Sequence, residues 1–531
     1  MKESIPRRRF LQFGTLGIAG LAGCSTRDDS GSEQPTDTPS STPSVTQNAT
    51  SAEPSETDQP TETPDSLDIL DHENLVGAHY YAWYRGEDGF AGQGFGGDQS
   101  NGWLSQTPGV PELGAYDSRN PDVVNQHMRW SLEHGINWWI ITVGGRNTAT
   151  HEAITDVIFE ADLADHMAFT ILTGFVPSQQ NEKGQYDLDD PSLQENLQEF
   201  VKFWKDEFVS DSNYLHLDGR PTLYFWDSEA YVGGVVNKFK ESFEKQQVDP
   251  YVIGGPKYYS QPAAMGDKHE IYDAILDYHG IYPDDEYMRN YRDLIVNRHR
   301  RWRVAADVYD LDFIPTVTPG YNTSARTSEI GSGAFSTFLD RSPEAFRNEC
   351  RSLSGLGDRN ATVVTSFNEW PEYSVVEPTV SEGTTFLEII GEELTSQSDT
   401  PLSTDKFTRV RIDFNKTITP DSADDRKLAF MCRSIILGTR TGTVDLDVGS
   451  VDESFICLSG SYGPESDSNS TFRWFGGANS KTELFVNQGD IDQIRFAGRA
   501  PANNIQAVIS VEDEEIGTVE FGRGDGVYST S

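Results

Sequence analysis

Basic side chains are scarce: 42 Lys and Arg stand against 84 Asp and Glu, a formal net charge of −42 over 531 residues. A surface of that sign repels phosphate backbones and anionic lipid headgroups, so neither nucleic acid nor a charged membrane face is expected as a partner. The acids are spread along the whole chain rather than held in one tail. We read this as adaptation to molar salt, where screening removes the self-repulsion. Cysteine is scarce as well. The four are Cys24, Cys350, Cys432 and Cys457. None forms a CxxC pair or sits with histidine at metal-ligand spacing, so no metal and no cofactor are expected. Cys432 and Cys457 fall in strand-like runs, which leaves open either a disulfide or two buried thiols. Long apolar runs are missing too, and with them any membrane-spanning segment.

The N-terminus carries an address instead. Residues 1–24 read MKESIPRRRFLQFGTLGIAGLAGC. Arg7, Arg8 and Arg9 precede a short apolar run of the kind found in twin-arginine export signals. The run ends in Leu21-Ala22-Gly23-Cys24, which predicts lipidation of Cys24. Residues 25–67 are nearly all Ser, Thr, Pro, Asp, Glu and Gln, with nothing to bury, and are expected to form a solvated tether. The chain is thus expected on the outer face of the cell membrane, held there only by lipid, as a monomer.

From residue 68 to 398 short apolar runs alternate with amphipathic stretches. Strands are predicted at Val76–Trp83, Asn137–Val143, Ala168–Gly174, Thr222–Trp226, Tyr251–Gly255, Ala274–Tyr278, Leu311–Val317 and Thr362–Phe367. Helices are predicted at Pro121–His134, Pro191–Phe208, Val235–Lys245, Glu286–Val308, Pro343–Leu356 and Glu382–Leu394. Eight strand–helix units in this span fit an α/β fold, a (β/α)8 TIM barrel. A doubly wound open sheet would want a Gly-rich phosphate turn after its first strand, and none follows Tyr80-Tyr81-Ala82-Trp83-Tyr84. Gly89–Gly97 reads as a loop over the barrel mouth. Residues 399–531 lose the helical rhythm, and their short alternating runs predict an all-β sandwich. Tyr462, Trp474 and Phe475 are candidates for a glycan-binding face on it, although a role as a packing module is favoured.

Catalytic groups of barrels gather at the C-terminal ends of strands. The eighth strand runs into Asn368-Glu369-Trp370-Pro371-Glu372, which puts two carboxylates at that rim three residues apart. A pair of carboxyl groups with different roles is what glycoside hydrolysis requires. Trp370 beside them has the chemistry to desolvate one carboxyl or stack on a sugar ring, and Pro371 stiffens the link and opposes regular helix. Tyr80, Tyr81, Trp83, Tyr278 and Tyr282 are candidates for lining the site, with Asn368 and Trp370.

These blocks, together with Gly114–Val124, His134-Gly135-Ile136, Asp218–Tyr224, Phe313–Tyr321, Thr365–Glu372 and Glu377-Pro378, resemble glycoside hydrolase family 99 in collinear order. The resemblance implies endo-acting α-mannosidase or α-mannanase chemistry with retention of anomeric configuration. Glu369 would assist the substrate's own 2-hydroxyl as internal nucleophile, and Glu372 would act as general acid and then base. The sequence departs from the family at Pro371, where a His is usual. It departs again after the third strand, where Thr173-Gly174-Phe175 offers no acid. Two other readings use the same residues: a surface glycan-binding lipoprotein without activity, and a transglycosylase.

Overall fold

The computed structural model describes residues 75–530 apart from 87–102, 173–184, 227, 259, 282–289, 325–337, 357–360, 396–406, 421–425, 441, 450–454, 468–469 and 478. The N-terminal signal, Cys24, the tether, the Gly89–Gly97 loop and Tyr282 lie outside the described residues.

The first domain is built on nine parallel strands: β1 (Leu75–Tyr81), β2 (Trp138–Thr142), β3 (Ala168–Leu172), β4 (Arg220–Phe225), β5 (Tyr251–Gly254), β6 (Ala274–Ile275), β7 (Asp312–Phe313), β8 (Thr316–Val317) and β9 (Ala361–Val364). Their order across the sheet is β7-β6-β5-β4-β3-β2-β1-β9-β8, with a short antiparallel strand, His216–Leu217, beside β4. The sheet curls in TIM-barrel-like fashion. Its two edge strands are consecutive in sequence, separated only by Ile314 and Pro315. The segment predicted as one seventh strand therefore splits. Asp312 and Ile314 donate amides to Asp273 and Ile275 on one side, while Pro315 and Val317 accept from Val363 and Thr365 on the other. Pro315 has no N–H for a continuous ladder, which accounts for the break.

Alternation along the strands divides the sheet's two faces. On the concave face Leu75, Trp138, Ile140, Leu172, Tyr224, Ile253, Leu276, Ile314 and Val363 form one buried cluster. The opposite residues, among them Val76, Tyr80, Trp139, Phe169, Leu223, Phe225 and Val364, pack under the helices. Gly77 faces inward because a Cβ there would lie 2.6 Å from the Trp138 ring.

The helices begin where caps dictate. In α1 (Pro121–Glu133), Asn120 accepts the amide of Asp122 and proline follows at the first turn; α3 (Pro191–Glu207) repeats this with Asp190 and Pro191. Between them α2 (Ala149–Ala153) is capped by Thr148. Next come α4 (Val235–Gln246), α5 (Tyr291–Tyr309), α6 (Pro343–Ser352) and α7 (Thr385–Glu393). Among the described residues no α-helix separates β5 from β6. A kinked 3-10 segment, Pro262–Glu270, breaks at Gly266 and fills that place. Among the described residues, too, no helix is long and apolar enough to cross a membrane.

The C-terminal residues form two antiparallel sheets. One holds Phe455–Ser459, Lys481–Val486, Thr408–Phe414, Ile505–Val511 and Glu514–Phe521; the other centres on Leu428–Thr439. Val410, Ile412 and Ile509 from the first meet Phe430, Ile435 and Phe496 from the second in a shared core. Cys432 and Cys457 are buried free thiols in that core, so the disulfide alternative is not formed. Phe475 also points into it, fully buried, and leaves the expected glycan face to the half-buried Tyr462 and Trp474. This domain is fastened to the first. The Tyr309 hydroxyl donates to Leu458 O (2.9 Å), the Cys457 amide donates to Gln261 Oε1 (3.0 Å), and Ile456 and Leu458 join the helix-side cluster.

Candidate active site

The last parallel strand, β9, stops at Val364, three residues short of the expected Phe367. A cis peptide joins Thr365 to Ser366, and the chain then loops out and returns. Ser366 N donates to Ser374 O (2.7 Å), and Glu377 N donates to Phe367 O (2.8 Å). Both candidate acids ride on this re-entrant loop. Trp370–Glu372 is a single 3-10 turn with Pro371 in its first positions, where a missing N–H costs nothing, and no regular α-helix follows it there.

Asn368 anchors the loop to β1. Its Oδ1 accepts the Tyr81 amide (2.8 Å), and its Nδ2 donates to Tyr81 O (3.0 Å), extending the strand pairing by a side chain. The Tyr84 hydroxyl donates to Asn368 O and accepts from the Trp370 amide (3.2 Å). The Glu369 amide donates to Ser366 Oγ (2.7 Å). Glu369 is thereby held in the wall, 2% exposed. Glu372 stands half-buried in the opening. Tyr278 donates to its Oε2 (3.0 Å), and Tyr321 to its Oε1 (3.4 Å). Tyr81 in turn donates to the Tyr278 hydroxyl (2.7 Å), which makes a chain of hydroxyls from β1 to Glu372. Burial holds the Tyr81 and Tyr278 phenols well above their ordinary range, and the nearby Glu369 and Glu372 carboxylates add to it. Both therefore stay protonated donors.

Beneath them lies His79, two residues before Tyr81 and on the same face. Its ring centroid is 4.9 Å from that of Tyr278. Burial first, and the neighbouring His279 second, push its pKa down to about 3. His279, beside Tyr278 and Tyr321, is pushed down to about 4 by burial. Both imidazoles are neutral at any pH near 7.

The expected site residues divide accordingly. Glu369, Glu372, Asn368, Tyr81 and Tyr278 come together, and Trp83 packs its half-buried ring 4.4 Å from that of Tyr81. Tyr80 does not line the site. It occupies the alternate face of β1, fully buried, stacked on Trp139 at 4.0 Å and bonded to His127 of α1 (3.0 Å). Period-two alternation sends neighbouring residues to opposite faces, so Tyr80 and Tyr81 were never both available. Trp370 is no sugar platform either. Its indole is fully buried and donates to Glu377 Oε2 (2.7 Å). Residues not foreseen as part of the site are Tyr84, Tyr116, His127, Tyr321 and Glu377. Among the described residues no three His, Cys, Asp or Glu converge as a metal site would require.

The sequence model of glycosyl hydrolase family 99 matches residues 105–391, more than half of the chain. Among solved structures, one described as a glycoside hydrolase-like protein is 17% identical with a TM-score of 0.49, covering 63% of this chain and 97% of that one. An endo-alpha-mannosidase of family 99 from Bacteroides thetaiotaomicron is 17% identical with a TM-score of 0.43, covering 61% and 96%. A family 30 subfamily 8 xylanase from Clostridium acetobutylicum is 10% identical with a TM-score of 0.32, covering 78% and 100%.

Proposed function

Since the chain belongs to glycosyl hydrolase family 99, we propose that it is a retaining, endo-acting glycoside hydrolase for α-mannoside-like linkages in extracellular or cell-envelope glycans. One observation carries the reading. Glu369 and Glu372 lie on a single turn beyond the last parallel strand, one walled in and the other open to the mouth under two tyrosyl donors. Environments that differ this much are how two carboxyl groups acquire two roles.

In the first step Glu369 accepts the proton of the sugar's 2-hydroxyl while that oxygen attacks C1. Glu372 gives its proton to the departing glycosidic oxygen, and a 1,2-anhydro sugar results. In the second step Glu372 takes a proton from water as the water oxygen attacks C1. The C1–O2 bond opens, and Glu369 returns the proton to O2. Two inversions at C1 leave the configuration retained. Tyr81 and Tyr278 keep Glu372 aimed, and Trp83 is the aromatic with exposed surface next to them.

On the same reading the parallel sheet closes as a (β/α)8 barrel through the paired halves of its seventh strand, and the two antiparallel sheets form an accessory β-sandwich. The protein is exported through its twin-arginine signal, lipid-anchored at Cys24, and active as a monomer without cofactor. The test is release of new reducing ends from α-mannans and from the host's own surface polysaccharide in molar salt, beside Glu372→Gln. Release by the wild type, with a loss of at least about 100-fold in the variant, supports a hydrolase with Glu372 as acid/base. Glycan binding without release by the wild type sinks the hydrolase and leaves a binding protein.

A further inference from the structure

A third carboxylate lies behind the pair, and nothing in the two-carboxylate scheme uses it. Glu377 is 1% exposed, at the foot of the loop that carries Glu369 and Glu372. Its Oε2 accepts the Trp370 indole N–H (2.7 Å) and the Tyr116 hydroxyl (2.8 Å). Its Oε1 lies 3.3 Å from His127 Nε2, on the helix after β1. The Tyr80 hydroxyl meets the other nitrogen of that ring (3.0 Å) and so fixes which edge of the imidazole faces the carboxylate. The Tyr116 ring completes the enclosure, 5.0 Å from that of His127. Residues 116 and 127, distant in sequence, thus converge with Trp370 of the same loop on one buried acid.

Taking a carboxylate out of water is expensive, and a neutral amide would suffice merely to occupy the space. What the charge supplies is a strong acceptor for two donors at once. One donor belongs to the residue between the two reacting glutamates. Trp370 follows Glu369 directly, and it opens the turn that ends in Glu372. Its backbone amide is held by Tyr84 and its indole by Glu377. Without that acceptor the buried indole N–H is left unsatisfied, and the ring shifts to find another, drawing the turn with it. A misplacement of about 1 Å at a reacting group is enough to cost two orders of magnitude in rate.

We propose that Glu377 is a positioning residue for the reaction: fixed by Tyr116, its buried carboxylate holds the Trp370 indole and thereby sets the geometry of the Glu369–Glu372 turn. The role rests on the reading of those two glutamates as the reacting pair. Glu377 touches no substrate in it.

The test uses the full folded protein and a glycan that the wild type cleaves. Glu377→Gln, Trp370→Phe and the double variant are compared, with Glu349→Gln as a control that loses a buried ion pair outside the site. Each of the first two lowers kcat about 10- to 100-fold, in the range found for residues that orient a reacting group. KM stays within about threefold, as expected when binding is untouched. The double variant falls no further than the worse single one, because both break the same link. The control lowers thermal stability and leaves kcat unchanged. An unchanged kcat in Glu377→Gln, or losses that multiply in the double variant, overturns the proposal. Crystal structures of the wild type and of Glu377→Gln test the role without turnover. A displaced indole with shifted Glu369 and Glu372 carboxylates supports it, and a superimposable turn refutes it. A wild type that cuts no glycan sinks the hydrolase reading alone, and the crystallographic comparison still decides the role of Glu377.

Discussion

Replacing His79 by phenylalanine and lowering the pH from 7 to 5 isolates one buried proton-binding site. The ring is fully buried inside the curled sheet, and neither of its nitrogens has a hydrogen-bond partner among the described residues. Its pKa falls from 6.5 to about 3 on folding, by burial first and by His279 second. A folded-state value below the unfolded one means that the unfolded chain binds the extra proton. The stabilising contribution is therefore fully present above pH 6.5 and is lost as the pH falls from 6.5 toward 3. At pH 5 the unfolded imidazole is protonated while the folded one is not, which costs the wild type about 2 kcal/mol relative to pH 7. Phenylalanine keeps the contacts with Tyr224 and Tyr278, removes two unsatisfied nitrogens and cannot titrate. The variant is thus at least as stable as the wild type at pH 7 and ahead by about 2 kcal/mol more at pH 5. Denaturant midpoints in molar salt at the two pH values measure the difference, and every other titrating group cancels in the comparison. Parallel pH dependence of the two proteins refutes the reasoning, because it means the buried ring is already charged or the site already hydrated.

Two further outcomes follow from the same geometry. Glu349 is buried, accepts the Thr318 amide and pairs with Arg292, so Glu349→Gln leaves the half-buried guanidinium with only the carbonyls of Thr318, Pro319 and Asp340 as acceptors. It costs about 2 kcal/mol, the scale of a lost hydrogen bond to a charged group, and lowers the thermal midpoint, read by calorimetry; an unchanged midpoint refutes the pairing. Tyr80→Phe and Tyr81→Phe, adjacent on one strand, part company. The first loses one hydrogen bond to His127, about 1 kcal/mol of stability, with KM unchanged. The second breaks the hydroxyl chain to Glu372 and lowers kcat about tenfold or more. Equal kinetic effects from the pair refute the assignment of the two rings to opposite faces.

Much of the architecture was legible because it is periodic. The caps Asn120-Pro121 and Asp190-Pro191 announce their helices, and the alternating runs after residue 400 become strands. The failures lie where backbone geometry is decided by tertiary contacts. Leu311–Val317 looks like one apolar strand, and only pairing to β6 on one side and to β9 on the other reveals that Pro315 divides it. The 3-10 segment at Pro262–Glu270 stands where a regular strand–helix unit would place a helix, since Gly266 breaks it. The position of Glu369 and Glu372 beyond the last parallel strand was legible from the apolar run that precedes them. Tyr80 was misjudged because adjacency in sequence was allowed to stand for a shared face. Glu377 stood within the family-like blocks with no role attached. What gives it one is the approach of Tyr116 and His127 from far along the chain, and no local pattern encodes that.

On the proposed reading, the division of labour between Glu369 and Glu372 follows from how the loop is hung, not from the residues themselves, which are chemically identical. The chain from Ser366 to Glu377 is tied at both ends and in the middle, by Ser374, Phe367 and Tyr84, and these ties fix the depth at which each residue lies. Glu369 falls level with Asn368 and Ser366, inside the wall and 2% exposed. Glu372 comes one 3-10 turn later and is half-buried, where on the proposed reading a proton is given up and recovered from solvent. A carboxylate that only shuttles a proton to and from the substrate's own hydroxyl benefits from exclusion of water, whereas one that must activate water needs access to it. If the two acids react as proposed, exchanging their depths would defeat both steps, and the pattern of ties around the turn is then as much a part of the proposed catalytic apparatus as the acids.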